Sequence, residues 1–166
     1  MNSKQVVAAV AAIVLIVILV YPSVSSGTVS VSIRAAKVDK ADHVFVTIDG
    51  IWAHPAGQSA GGWTSISNQS QTFDLLALQN TTKALGKGQI SAGQYDQIRI
   101  EVTNVTWIFN KTTRSLGITS PELQAPLPFT VGSGSGASVT LTITAQEQLI
   151  ANSDYFAGTL AASLAS

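Results

Sequence analysis

Apolar and polar residues alternate along most of the chain after residue 27, which is the pattern of β-strands with one buried face. The first such run is Thr28–Ile33, where Val29, Val31 and Ile33 alternate with serines. Similar runs predict further strands over residues 42–54, 62–66, 94–109, 122–131, 138–145 and 155–160. We therefore expect a mostly β fold, an antiparallel β-sandwich of about seven to eight strands.

One segment, Phe73 to Lys83, departs from the alternating pattern. Its leucines at positions 75, 76 and 78 lie near helical spacing, and Asp74 is suited to cap a first turn. Gly86 follows shortly afterwards and would end such an element. The pattern predicts one short helix between two strands.

The long strand over residues 94–109 carries two sets of apolar residues with opposite parity. Ile98–Val102 face one way, whereas Val105–Phe109 hold the other parity. A bulge near Thr103–Asn104 would keep both sets in the core.

The strand over residues 122–131 is predicted to lie at a sheet edge. It contains Pro126 and Pro128, and proline cannot donate a hydrogen bond to a neighbouring strand. The glycine- and serine-rich run 132–136 follows, and the alternation resumes directly after it. We interpret that run as the tip of a hairpin.

The first 26 residues form a segment of a different kind. Lys4 precedes 16 apolar residues from Val6 to Tyr21, and small residues follow Pro22. This order is typical of a secretory signal, and a helix of that length would span ~24 Å, less than the ~30 Å of a hydrocarbon core. Cleavage is therefore favoured, and the alternative is a retained membrane anchor with Lys4 on the inside. A pilin-type tail is a third interpretation, although no charged cleavage motif precedes the apolar run.

The signal and anchor interpretations both place the predicted β-sandwich domain, residues 27–166, outside the cytoplasm. The protein is then secreted or held at the cell surface, after contact of residues 1–26 with the secretion machinery and, if they are retained, the membrane. Four sequons agree with that location because N-glycosylation acceptors lie on the surface of secreted proteins. The candidate acceptors, of which Asn80 and Asn110 lie nearest to predicted element ends, are Asn68, Asn80, Asn104 and Asn110.

Composition excludes several classes of function. The formal net charge is zero and only 11% of the residues are charged, so no basic surface is present to attract nucleic acid. The chain has no cysteine, which excludes disulfides, thiolate metal sites and cysteine nucleophiles. His43 and His54 are predicted to face opposite sides of one strand, so we expect no shared metal site. No catalytic motif is recognisable, and we expect neither an enzyme nor a cofactor.

A set of short motifs carries a resemblance to a known family. The motifs are Val44–His54, Gly62–Trp63, Phe73–Leu78 and Ala92–Ile100. In this order they resemble the domain of unknown function 4382 family, which consists of secreted or surface-tethered β-sandwich domains of archaea and bacteria. The resemblance implies an extracellular fold and no established activity. Arg34–Lys37 stands where the family usually has an acidic Asp-Ala-Pro turn, so any ion-binding role of that turn does not carry over.

The layout is also similar to that of archaeal surface-filament subunits, pilus or thread, that assemble by donor-strand complementation. A sandwich with few charges has poorly defended sheet edges. Residues 27–37 would supply a donor strand through Thr28, Val29, Val31 and Ile33, forming a head-to-tail homopolymer. The simpler alternative is that this strand completes its own sandwich. Our first hypothesis is nevertheless an extracellular filament subunit.

The second hypothesis is a monomeric, membrane-tethered surface domain that binds carbohydrate or another cell-surface ligand. Three tryptophans could provide an aromatic platform for a sugar ring. The parity of Trp52 and Trp107 predicts that both pack in the core. Trp63, which directly follows two glycines, is the candidate ligand platform.

Overall fold

The computed structural model describes residues 25–38, 40–146 and 154–165. Within these ranges the protein is mostly β, with strands that pair mainly antiparallel and no helix, and none of the described residues forms a helix that could cross a membrane. The predicted signal or anchor lies almost entirely outside the described residues. The strands of the described ranges are β1 Ser26–Ala35, β2 His43–Pro55, β3 Thr64–Ser67, β4 Gln71–Asp74, β5 Lys83–Ser91, β6 Gly93–Phe109, β7 Thr112–Ser115, β8 Gly117–Ile118, β9 Glu122–Val131, β10 Gly136–Ala145, β11 Tyr155–Phe156 and β12 Gly158–Leu164.

Two sheets supply the core. The first has the strand order β12-β10-β1-β5, with β1 parallel to β10 and antiparallel to β5. The second is built on the antiparallel pair of β2 and β6; β3 and β4 pair with the free side of β2, and β7 and β9 with the free side of β6. A short parallel pair joins β8 to β11. The buried residues of both sheets form one hydrophobic cluster. The described strands are thus more numerous than the alternation predicted.

The predicted helix over residues 73–83 is wrong. The chain forms β4, then a turn, then β5. The turn is held by Asp74, whose carbonyl accepts a hydrogen bond from the Leu78 amide (3.2 Å) and whose Oδ1 accepts one from the Leu76 amide (3.1 Å). Leu75 and Leu78 are fully buried. One turn is enough to bury leucines three residues apart, so their spacing did not require a helix.

The predicted bulge in β6 is confirmed. Thr47 pairs with Asn104 and its neighbour Ile48 pairs with Val102, so Thr103 is the additional residue. Val102 and Val105 are both fully buried as a result. The bulge thus keeps Val105 in the same core as Ile98–Val102, with Trp107 packed partly buried against it.

The position of β9 is confirmed as well, because in the described structure it pairs only with β6 and so lies at an edge. The following glycine-rich run is not a hairpin tip, however. It leads from β9 in the second sheet to β10 in the first, and these two strands do not pair. Alternation on both sides of a run indicates two strands, but it does not show that they are neighbours.

A second bulge corrects the prediction for Trp52. Ile48 pairs with Val102 and Gly50 with Glu101, which leaves Asp49 as an additional residue of β2. The buried positions therefore change parity, and Trp52 lies half-buried on the outer face of the second sheet. Its indole lies against Gly50, where a β-carbon would overlap the ring. Trp107, by contrast, packs partly buried against the core as expected.

Candidate functional site

A cleft opens where β2 ends and the chain turns back into β3. Trp52 pairs with Ser65 and Ala53 with Thr64, so β2 and β3 form a hairpin. The connection 55–62 (the cleft loop) contains three glycines, and Gly57 has a positive φ of 79° that suits glycine. The cleft has a volume of about 490 Å³ and is lined by His54, Gln58, Ala60, Trp63, Asp96, Gln97 and Gln124.

The carboxylate in this cleft is placed by an irregularity in β6. His54 pairs with Gln97 and Pro55 with Tyr95, so Asp96 is skipped in the register with β2. The register with β9 is irregular at the same place. A bulge next to a site commonly re-aims one side chain, and here Asp96 meets His54 at the end of β2.

His54 is the only buried polar residue in the described part of the chain. Its Nδ1 lies 2.8 Å from Asp96 Oδ1, and its Nε2 lies 2.9 Å from the Ser59 carbonyl oxygen. The hydrogen bond to Ser59, and then the one to Asp96, raise the pKa of His54 above its ordinary value of 6.5, against an opposing effect of burial. The imidazole thus links β6 to the cleft loop.

Trp63 is held half-buried in the cleft by three contacts. Its Nε1 donates a hydrogen bond to the Ala60 carbonyl (3.0 Å), and the ring meets the His54 ring edge to face at 5.2 Å. The Arg99 guanidinium lies 4.6 Å from the Trp63 ring centre and 5.0 Å from that of Trp52. These contacts fix the indole in one orientation, which favours recognition of a ligand.

Arg99 connects the aromatic rings to the neighbouring strand β9. Its Nη1 lies 3.0 Å from Glu122 Oε1. Its Nε is buried and has no hydrogen-bond partner among the described residues. The guanidinium is therefore held by two rings and one carboxylate, which makes it a support for Trp63.

The charges around the cleft occur in pairs. His54 faces Asp96, and Arg99 faces Glu122. The other polar side chains that line the cleft are the amides of Gln58, Gln97 and Gln124. Amides both donate and accept hydrogen bonds, as hydroxyl groups do. The surface is thus uncharged on balance and suited to a neutral polar ligand.

One protein family matches the sequence over nearly all of the described fold. The family described as Domain of unknown function (DUF4382) matches residues 26–157. The chain belongs to this family. The match begins at the first residue of β1 and ends just after β11. No curated protein matches the chain, and no solved structure matches it.

The sequence predicted a ligand-binding role for Trp63, which lines the cleft of this DUF4382 domain, but it predicted no such role for the residues around Trp63. His54 was considered only as a metal ligand, and Asp96 and the three glutamines had no assigned role. Their juxtaposition depends on the bulge at Asp96. The one available signal was the opposite parity of Tyr95 and Ile98, which lie on either side of Asp96 and are both buried.

The four candidate glycosylation residues of the DUF4382 domain are all exposed. Asn68 accepts a hydrogen bond from Ser65 Oγ at 2.7 Å. Asn110 and Lys111 both have positive φ, 48° and 63°, and form the two-residue turn between β6 and β7. All four candidate acceptor asparagines thus lie at the surface of the domain.

The four candidate donor residues lie in β1. Thr28 is half-buried, whereas Val29, Val31 and Ile33 are almost completely buried. In the single chain, β1 pairs with β5 and β10 along most of its length. The side chains that were predicted to fill a neighbour's pockets here fill pockets of their own domain.

His43 lies at the opposite end of β2 from His54. It faces Asp74, with Nδ1 2.8 Å from Oδ2, and its ring stacks on Phe45. Within the described ranges, no group of three or more histidine, aspartate or glutamate side chains is arranged to hold a metal ion.

Proposed function

We propose that the protein is an extracellular β-sandwich domain of the cell surface that binds neutral carbohydrate in the cleft beside Trp63. The observation that carries this proposal is the convergence of one fixed indole with three glutamine amides around a cavity of about 490 Å³. Ligand sites commonly combine aromatic surface with a few placed polar groups. A sugar ring offers both an apolar face for the indole and hydroxyl groups for the amides.

The paired charges favour a neutral sugar over an acidic one. An anionic sugar would need a cation that is free to receive it, but Arg99 already faces Glu122 and His54 already faces Asp96. Removing such a partner to admit a carboxylate would leave another charge without compensation. We therefore expect neutral oligosaccharides to bind and uronic acids to bind weakly.

The geometry supports binding in preference to catalysis. Both ring nitrogens of His54 are engaged, one by the Asp96 carboxylate and one by the Ser59 carbonyl. A general base needs a nitrogen within reach of the proton that it abstracts. His54 is therefore better suited to hold the site together than to transfer a proton.

Oligosaccharide arrays followed by calorimetry test the binding proposal. Gln124→Ala should weaken binding about fivefold to tenfold, as expected for one lost neutral hydrogen bond of ~1–1.5 kcal/mol. Gln89→Ala, on an exposed position of β5 in the other sheet, is the matched control. Trp63→Ala should abolish measurable binding while circular dichroism remains native. Absence of any bound neutral oligosaccharide, or equal affinity of the two glutamine variants, would refute the proposal.

The surface location is tested separately. Four exposed sequons and the apolar segment 6–21 support it. Mass spectrometry of the protein from its native host should find glycan on at least one of these asparagines, and protease added to intact cells should remove the domain. Recovery of an unmodified, protease-protected chain would contradict this location.

The second candidate function is a filament subunit that polymerises by exchanging β1. The specific observation in its favour is that β1, the first strand of the described chain, lies between β10 and β5. Its departure would leave two hydrogen-bonding edges and a row of pockets, which is what a donor strand requires. The same strand from another subunit could fill that gap and give a head-to-tail polymer.

A pair of engineered cysteines distinguishes the two states of β1, because the chain has no cysteine of its own. Ser30 is the register partner of Ser138 across β1 and β10. Oxidised Ser30→Cys/Ser138→Cys protein should run as a monomer if β1 pairs within its chain, and as a ladder of covalent oligomers if it is exchanged. Thr142→Cys/Ala161→Cys, across β10 and β12, is the control pair that should remain monomeric in both cases.

A further inference from the structure

His54 contacts two hydrogen-bond acceptors at once. Asp96 presents a carboxylate oxygen 2.8 Å from Nδ1, and Ser59 presents a carbonyl oxygen 2.9 Å from Nε2. A carbonyl and an ionised carboxylate can only accept, so each bond requires a proton on the facing nitrogen. A neutral imidazole carries one N–H and can make only one of them. The observed geometry therefore fits the doubly protonated imidazolium.

Ser59 belongs to the cleft loop, and its carbonyl also accepts a hydrogen bond from the Gly62 amide at 2.9 Å. The next carbonyl, that of Ala60, receives the Trp63 indole N–H. The hydrogen bond from His54 to Ser59 is the tether of the cleft loop. It holds the loop one residue before Ala60, whose carbonyl orients the Trp63 indole. The loop's three glycines give it wide conformational freedom once the tether is lost.

We propose that His54, in its doubly protonated form, is the positioning residue of the cleft, and that loss of one proton releases the cleft loop and lowers affinity for the ligand. The effect on affinity rests on the proposed carbohydrate-binding function. The effect on loop order does not, because it follows from the hydrogen bonds of the free protein.

The surrounding groups favour the protonated form of His54. Asp96 of β6 faces the ring directly. The Trp63 ring contacts both His54 and Arg99 of β6, and Glu122 of β9 balances the charge of Arg99. The cleft loop itself contains no ionisable side chain. The bonds to Ser59 and Asp96 raise the pKa of His54, so both are complete below that pKa and one is lost as the pH rises through it.

The test follows two readouts in the full chain between about pH 5 and 9. The first is the NMR signal of the Trp63 indole N–H, which reports the bond to Ala60. The second is affinity for a neutral oligosaccharide that binds on the array. Both should change together with the titration of His54, and affinity should fall on the order of tenfold, as for a lost charge-assisted hydrogen bond.

Three variants separate positioning from a general pH effect. His54→Gln should bind weakly at every pH and lose the pH dependence. Asp96→Asn keeps the loop bond but removes the facing charge, so its transition should move to lower pH. His43→Gln is the matched control at the other end of β2, and it should behave like the unmodified protein.

The outcomes are distinguishable. If no oligosaccharide binds at any pH, the proposed function fails, and the indole signal alone decides the role of His54. A signal that changes with the His54 titration and is constant in His54→Gln supports the positioning role. An indole signal and an affinity that stay constant across the range, or a His54→Gln variant that keeps the pH dependence, would overturn it.

Discussion

Gly88 of β5 lies so close to the carbonyl group of Ile66 in β3 that a β-carbon at position 88 would overlap it. These residues belong to different sheets, so the contact marks a corner where the two sheets meet. A glycine in a strand interior often indicates such a close approach of another backbone. The β5 edge of the first sheet is therefore covered at this point by β3.

Gly88→Ala is expected to lower the free energy of unfolding by about 1–3 kcal/mol, because the added methyl group must displace backbone. Urea denaturation followed by tryptophan fluorescence measures the change. Gly93→Ala is the control, since a β-carbon at Gly93 meets no atom within 4 Å. Equal stability of the two variants would show that the corner is open.

Asp74→Ala should destabilise the domain by about 1–3 kcal/mol, since it removes acceptors that serve the turn between β4 and β5. The Asp74 carboxylate accepts from the amides of Leu76 and Val44 and faces His43. Asp42→Ala, an exposed change just before β2, should have little effect. Thermal unfolding of both variants provides the comparison, and an unchanged midpoint for Asp74→Ala would argue against this anchoring role.

Arg99→Met should destabilise the domain by about 1–2 kcal/mol through loss of two cation–π contacts. The ion pair with Glu122 adds little, because that carboxylate is half exposed. Trp63 should also become more mobile, which is measurable as increased fluorescence quenching by acrylamide. Arg34→Met, on the exposed side of β1, should leave the quenching unchanged; a similar response in both variants would contradict the role of Arg99.

Stability should decrease as the pH rises through the folded-state pKa of His54. That pKa is raised in the folded state, so the stabilising contribution is fully present below the unfolded value of about 6.5 and is lost above the folded value. Chemical denaturation at a series of pH values should show this decline in the unmodified protein and in His43→Gln. A decline of equal size in His54→Gln would assign it to another group.

The parts of the fold that follow from local chemistry could be predicted from the sequence. The parity change in β6 required the additional residue Thr103, and Pro126 with Pro128 required an edge strand. Both requirements arise within one strand, from which side chains must be buried and which amides can donate.

The parts that depend on distant partners could not be predicted. The bulge at Asp49 has apolar residues on both sides, so the pattern did not show that Trp52 turns outward. The cleft depends on a second irregularity at Asp96, and no local pattern shows that it brings a carboxylate of β6 to a histidine of β2. A register between strands is decided by the whole sheet, whereas periodicity reports one strand at a time.

The place of β1 also determines when the sheet can be completed. Val31 pairs with Gly86 on one side and with Val139 on the other. Since synthesis proceeds from the N terminus, β1 is made before the other described strands, but its partner β10 is made only after β2 to β9. Contacts between such distant segments make folding slow and leave apolar strands unpaired in the meantime. The strand that becomes the most completely buried one of the first sheet is thus the one that waits longest for its partner strands, with its apolar side chains exposed until they are made.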